Sequence, residues 1–183
     1  MTPSNHRDQH LEPLPRELLR KPLDYSLAEH LRQRVLCVLC EQVAEDEQFD
    51  ADLAREIVGY LKSEMVVHVI DEEQDLFPLI RRRAQPDDDI EMALGQLSGD
   101  HAAEERLASS IVEGLERALG ETGRPISGEL RAALKRFAQT ERQHLALENA
   151  TVMPLAKLRL SERDLKDLAA RMAARRGILF NTV

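Results

Sequence analysis

The chain has 183 residues, 43% of them apolar, with a formal charge of −8 at pH 7, eight glycines and no tryptophan. That length suits one domain with a substantial core, and the negative charge argues against a nucleic-acid surface. No apolar run approaches the ~18 residues needed to cross a membrane, and the polar, proline-containing start lacks a signal peptide's apolar core, so no membrane contact and a cytoplasmic location are expected.

Residues 1–23 hold Pro3, Pro13, Pro15 and Pro22 among charged residues, which predicts an irregular N-terminal arm packed over a bundle end. His6 and His10 are four apart there, but no acidic or apolar framework surrounds them and no metal is expected. A first long helix is predicted over 24–45, with His30 beside Leu27 and Leu31, and with Val35, Val38 and Gln42 continuing that face. It contains Cys37 and Cys40 as a C-x-x-C. A zinc site of this kind needs a second pair, and these are the only cysteines. A redox pair belongs at a helix start rather than among Val35, Leu36, Val38 and Leu39, so two small core residues are expected.

The second helix is predicted over 50–83, ending in Arg81-Arg82-Arg83, which suit a helix C-terminus, and bent by Pro78. Its apolar positions Leu53, Ile57, Leu61, Met65, Leu76 and Leu79 share one face, and His68 and Glu72 fall on it. A buried carboxylate there requires a counter-charge, a proton or a metal. Asp71 and Asp75 are expected at solvent or in salt bridges, and Glu73 is a second inward candidate.

The third helix follows Asp87-Asp88-Asp89 and places Ile90, Leu94, Leu97, His101, Glu105, Ala108, Val112, Leu115 and Leu119 at steps of three or four. Glu104 and Glu105 both lie within reach of His101, and Glu105 is preferred because it keeps the four-residue step of the other pairs. Gly120-Glu121-Thr122-Gly123-Arg124-Pro125 is the strongest turn signal. The fourth helix, from about Ser127 to 158, aligns Leu130, Leu134, Phe137, Glu141, His144, Glu148, Val152 and Leu155, with Glu141 a further inward candidate. Pro154 follows Glu148 by six residues, as Pro78 follows Glu72. The echo makes the second and fourth helices equivalent halves of a site. Over 159–183, Ser161 and Asp164 open a short helix, Leu165 to Arg176, that Gly177 ends. It is expected to pack on the bundle or on a second subunit, as in a homodimer.

In an up-and-down bundle, residues at one height are equally far in sequence from the turn that joins their helices. The midpoints of His30 with His68, His68 with His101, and His101 with His144 fall at about residues 49, 84–85 and 122–123, each in a predicted connection. The expected fold is therefore an all-α, up-and-down antiparallel four-helix bundle over 24–158 carrying His30, His68, Glu72, His101, Glu105, His144 and Glu148 at one level. Such nitrogen and carboxylate donors suit iron, manganese or zinc. They exceed what one tetrahedral zinc requires, and glutamates on different helices can bridge two ions.

His30, His68-x-x-x-Glu72 running into Asp75-Leu76-Phe77-Pro78, His101, and His144-x-x-x-Glu148 together resemble the hemerythrin-like (HHE cation-binding) family over about 24–158. The resemblance implies a bundle holding two iron ions with an oxo or hydroxo bridge. Position by position, Glu72 and Glu148 would bridge, and His30 and His68 would complete one iron. That iron would keep an opening for dioxygen, peroxide, nitric oxide or another small ligand. His101, Glu105 and His144 would complete the other. The chain departs from oxygen-carrying hemerythrins at Glu105, where those have a second histidine, and at His144-x-x-x-Glu148, where those have histidine and aspartate. A third carboxylate favours the ferric state and lowers the potential. Redox, oxygen, peroxide, nitric oxide or iron sensing or handling is therefore expected rather than reversible oxygen transport. A ferritin-like diiron oxidase or peroxidase is one alternative, but it wants Glu-x-x-His on two helices. Only Glu141-x-x-His144 fits, since Met65 and Ser98 precede the other histidines by three. A metal-controlled interaction module acting through the terminal helix is the other.

Overall fold

A computed structural model describes residues 10–121 and 125–180, all of whose regular structure is helical. After a 3₁₀ turn, Arg16–Arg20, helix α1 runs Pro22–Glu45, beginning two residues before the expected start. Pro22 occupies its first turn, where a missing N–H costs nothing.

The second rod is not one continuous helix. It comprises α2 (Ala51–Lys62), α3 (Glu64–Ile70), a π-helical turn (Asp71–Leu76) and α4 (Phe77–Arg83). Asp50 caps α2 by accepting from the N–H groups of Asp52 and Leu53, both at 3.0 Å. The rod breaks at Ser63, whose φ of −123° and ψ of −73° are not helical and whose hydroxyl donates to the Gly59 carbonyl at 2.6 Å. The π turn ends two residues before Pro78. The proline has no N–H for the carbonyl of Gln74, and the Phe77 N–H reaches back five residues to the Glu72 carbonyl, so the wider turn accommodates the ring.

After a 3₁₀ turn, Pro86–Asp88, α5 spans Glu91–Gly120. The fourth rod is α6 (Gly128–Ala150), capped by Ser127, and α7 (Val152–Arg159), separated at Thr151 three residues after Glu148. Its break precedes Pro154 much as the π turn precedes Pro78. Helix α8, Glu162–Arg175, opens on a capping box between Ser161 and Asp164 and ends at Gly177, whose φ of 69° favours glycine. The Gly120–Pro125 turn and His6 fall at least partly outside the described residues. His10 lies exposed against Glu56 at 3.1 Å.

Helix α1 packs on α6, α6 on α5, α5 on α2, and α2 on α1, which closes the antiparallel ring. The apolar interior forms two separate clusters. One holds Leu36, Cys37, Cys40, Ile57, Leu61, Ile111, Leu115, Leu134 and Phe137. Both thiols are free and buried, and burial pushes their pKa values up, so they behave as the expected core residues. The other cluster, at the opposite end, holds Leu19 of the arm, Phe77 and Ile80 of α4, Leu94 and Leu97, Val152, and Leu168 and Met172 of α8.

Helix α8 packs on the 3₁₀ turn of the arm, on α1 and on the π turn of its own chain. There the expectation for Asp71 and Asp75 is met by salt bridges, but both side chains are buried. Arg175 binds both aspartates, at 2.8 Å to Asp75, while Arg171 reaches Asp75 and Arg176 reaches Asp71, each at 2.6 Å. Replacing Arg175 with alanine removes two charge-assisted bonds and leaves both carboxylates short of a partner. Urea unfolding of Arg175→Ala should show a loss of about 1–3 kcal/mol; an unchanged midpoint would mean that the remaining arginines suffice.

Candidate metal centre

The polar layer lies between the two apolar clusters, and each rod contributes to it. α1 supplies His30, α3 and the π turn supply His68 and Glu72, α5 supplies His101, and α6 supplies His144 and Glu148. All six side chains are buried.

Glu72 is the hub. Its Oε1 lies 3.0 Å from His68 Nε2 and 3.5 Å from His30 Nε2, and its Oε2 lies 3.1 Å from His101 Nε2. Glu148 lies 3.1 Å from His30 Nε2 and 3.9 Å from His144 Nε2. The donors form two groups that share Glu72. His30, His68, Glu72 and Glu148 make one, and Glu72, His101 and His144 the other, each with its ligand atoms within 4.8 Å of one another. A family model for the hemerythrin HHE cation binding domain matches residues 21–156.

The chain belongs to the hemerythrin HHE family.

A search of curated proteins found no match. Membership implies metal-ion binding, and the chemistry of the HHE layer fits it. His30 Nε2, His101 Nε2 and both oxygens of Glu72 and Glu148 are buried without a hydrogen-bond partner of good geometry, an arrangement that is costly unless a cation or protons fill it. The opposite nitrogens of two histidines are already engaged. His30 Nδ1 meets Asn149 Oδ1 at 2.9 Å, and His101 Nδ1 meets Glu73 Oε1 at 2.6 Å, leaving each Nε2 directed at the centre. Ser98 donates to the other Glu73 oxygen at 3.0 Å.

The titration behaviour shows how strained this layer is. Burial pushes the Glu72 carboxyl up, but the charge of His68 and the close approach of His101, His30 and His68 to its oxygens more than offset it and hold it well below the usual range. Burial, and then repulsion from Glu72, raise Glu148. Burial also pushes His144 down to about 3. His101 rises to about 9 because Glu72 and Glu73 outweigh its desolvation, and His30 rises well above its ordinary value against Glu148 and Glu72. Protons and a cation thus compete for the same buried atoms, and metal uptake must displace the protons.

Six of the seven expected residues converge. Glu105 is the correction: it is exposed, and Glu104 takes the inward position with 5% exposure. The buried stripe of α5 runs Leu94, Leu97, His101, Glu104, Ile111 and Leu115, so after the four-residue step into His101 the helix takes a three-residue step. A further four would turn the side chain toward the gap beside α2. Glu104 adjoins Glu141, which is 1% exposed, and neither belongs to the two converging groups. Burial raises Glu104 to about 7, and burial with the charge of Glu104 raises Glu141 further. Asn149, the partner of His30, carried no sequence signal beyond following Glu148.

Glu72→Gln should abolish binding at both groups, whereas Glu105→Gln should leave metal content within about a tenth of the parent, since an exposed carboxylate off the stripe holds nothing. Elemental analysis of the two variants after identical iron supplementation checks this; equal losses would return Glu105 to the centre.

Proposed function

We propose that the chain is a non-heme diiron protein that senses or handles oxygen, peroxide, nitric oxide or iron rather than carrying oxygen reversibly. The observation that carries this reading is the single Glu72 carboxylate shared between two histidine-containing donor groups, the arrangement that two adjacent cations require. His30, His68, Glu72 and Glu148 would hold one iron, and Glu72, His101 and His144 the other. When bound, the iron pair supplies electron exchange and affinity for small ligands. Glu73 and Asn149 orient His101 and His30 through their Nδ1 atoms. Manganese or zinc would accept the same donors.

The preference against reversible carriage now rests on Glu104 and Glu141 rather than on Glu105. These two carboxyls stand one helical turn beyond His101 and before His144; burial favours their protonated forms, and the added charge of a ferric pair would draw them toward ionisation, which in turn stabilises that state in a water-poor interior. Elemental analysis of protein purified without a metal-affinity tag, with visible spectra before and after reduction, tests the reading. About two irons per chain and a visible band lost on reduction are expected, followed by spectral change on adding dioxygen, peroxide or nitric oxide to the reduced protein. A well-folded, iron-supplemented sample without metal would overturn it.

The arginines of α8 favour a second reading, a metal-controlled interaction module. Asp71 and Asp75 flank Glu72 on one π turn, so a displacement of Glu72 is passed to Arg171, Arg175 and Arg176. Amide exchange over residues 162–176 should then differ by roughly tenfold between metal-loaded and chelated protein. Equal rates would remove this reading.

A further inference from the structure

A groove of about 740 Å³ lies between the second rod and α5, with His101 and Glu104 among its lining residues. Its walls are Leu61, Met65, Val66, Val69, Ala108 and Val112. That space is far larger than a diatomic ligand or a peroxide needs, given about 30 Å³ for a water molecule, and it falls within the range of small organic ligand sites.

Most of the charged side chains along the groove are carboxylates, Glu73, Glu104, Glu105 and Glu113. Both Glu104 oxygens are buried and accept no hydrogen bond of good geometry, although the carboxyl adjoins Glu141. Glu73 is an acceptor already facing Ser98 and His101. Glu105 and Glu113 add negative charge, and Lys62, the lysine among the lining residues, is bonded to Glu116 at 2.9 Å. A ligand carboxylate or phosphate would therefore meet repulsion and no free cation, whereas an ammonium would supply the positive charge that Glu104 lacks.

We propose that this groove is a binding site for a small amphiphilic amine, its apolar chain along the valine and methionine walls and its ammonium against Glu104 beside the metal centre. The ligand is distinct from the small molecules of the preceding reading, and the groove that would hold it is lined by Glu73, His101 and Glu104 but not by Glu72. A site beside His101 would let the occupant alter the centre without contacting it through Glu72.

Isothermal titration of the protein as purified, with octylamine, octanoate and octan-1-ol, tests the proposal. Octylamine should saturate at one per chain and bind at least tenfold more tightly than octanol, with no saturable binding of octanoate. Glu104→Gln should reduce octylamine affinity at least tenfold and leave octanol unchanged. Val66→Trp, at a half-exposed wall position that tolerates substitution, should block both. Circular dichroism melting confirms that each variant is folded, and Val66→Trp decides the matter if Glu104→Gln is not. Octanoate binding as tightly as octylamine, octylamine binding unaffected by Val66→Trp, or no saturable binding would each overturn the site. Metal content measured on the same sample keeps the two readings apart: octylamine binding without metal overturns only the diiron reading, and a full metal complement without octylamine binding overturns only this one.

Discussion

Burying imidazoles and carboxylates at one height of a helical bundle imposes the condition that the rest of the molecule meets. Glu72 alone faces three histidines, and Glu148 adds a second carboxylate to the same dry layer. Either protons or cations must balance these groups. Both apolar clusters pack against the ends of this layer, so its geometry is held from two sides by side chains that leave little room to relax.

The backbone departs from regular helix where this layer demands it. Glu72 sits in a π turn, and the rod carrying Glu148 breaks three residues beyond that side chain at Thr151. Each irregularity precedes a proline that prevents the helix from closing normally, and the two proline-bearing pieces, α4 and α7, pack together beyond the polar layer. The family match ends at residue 156, yet the arginines that neutralise Asp71 and Asp75 come from α8, after that limit. The segment that neutralises the acids beside Glu72 thus lies beyond the matched bundle.

Much of this arrangement was legible in the residues, because stripes at steps of three and four and equidistance from turns are geometric properties of antiparallel helices. The same arithmetic held the answer for the position that went wrong. Glu104 and Glu141 share the midpoint of His101 and His144, at about residues 122–123, whereas Glu105 pairs with Thr140, off the buried stripe of α6. Preferring an unbroken four-residue step over the alternation of three and four obscured it. Other features were not legible. Asp71 and Asp75 look like surface acids until α8 is docked against them, and Asn149 looks like any polar residue near a helix end, because both depend on tertiary neighbours distant in sequence. The break at Ser63 has only a hydroxyl bonding back to Gly59 to mark it.

The two apolar clusters carry a consequence for chain topology. They touch the same four rods at opposite ends, and the polar layer between them contributes little cohesion of its own while its charges are balanced by protons. A cation held by His30 and Glu148 would act as a staple, fastening the first rod to the last across more than a hundred residues of intervening chain. Closing so long a loop restricts the unfolded chain, and the same staple makes separation of the rods at mid-height the slow step in coming apart. Occupancy of the centre would then be written into the lifetime of the fold as much as into its colour.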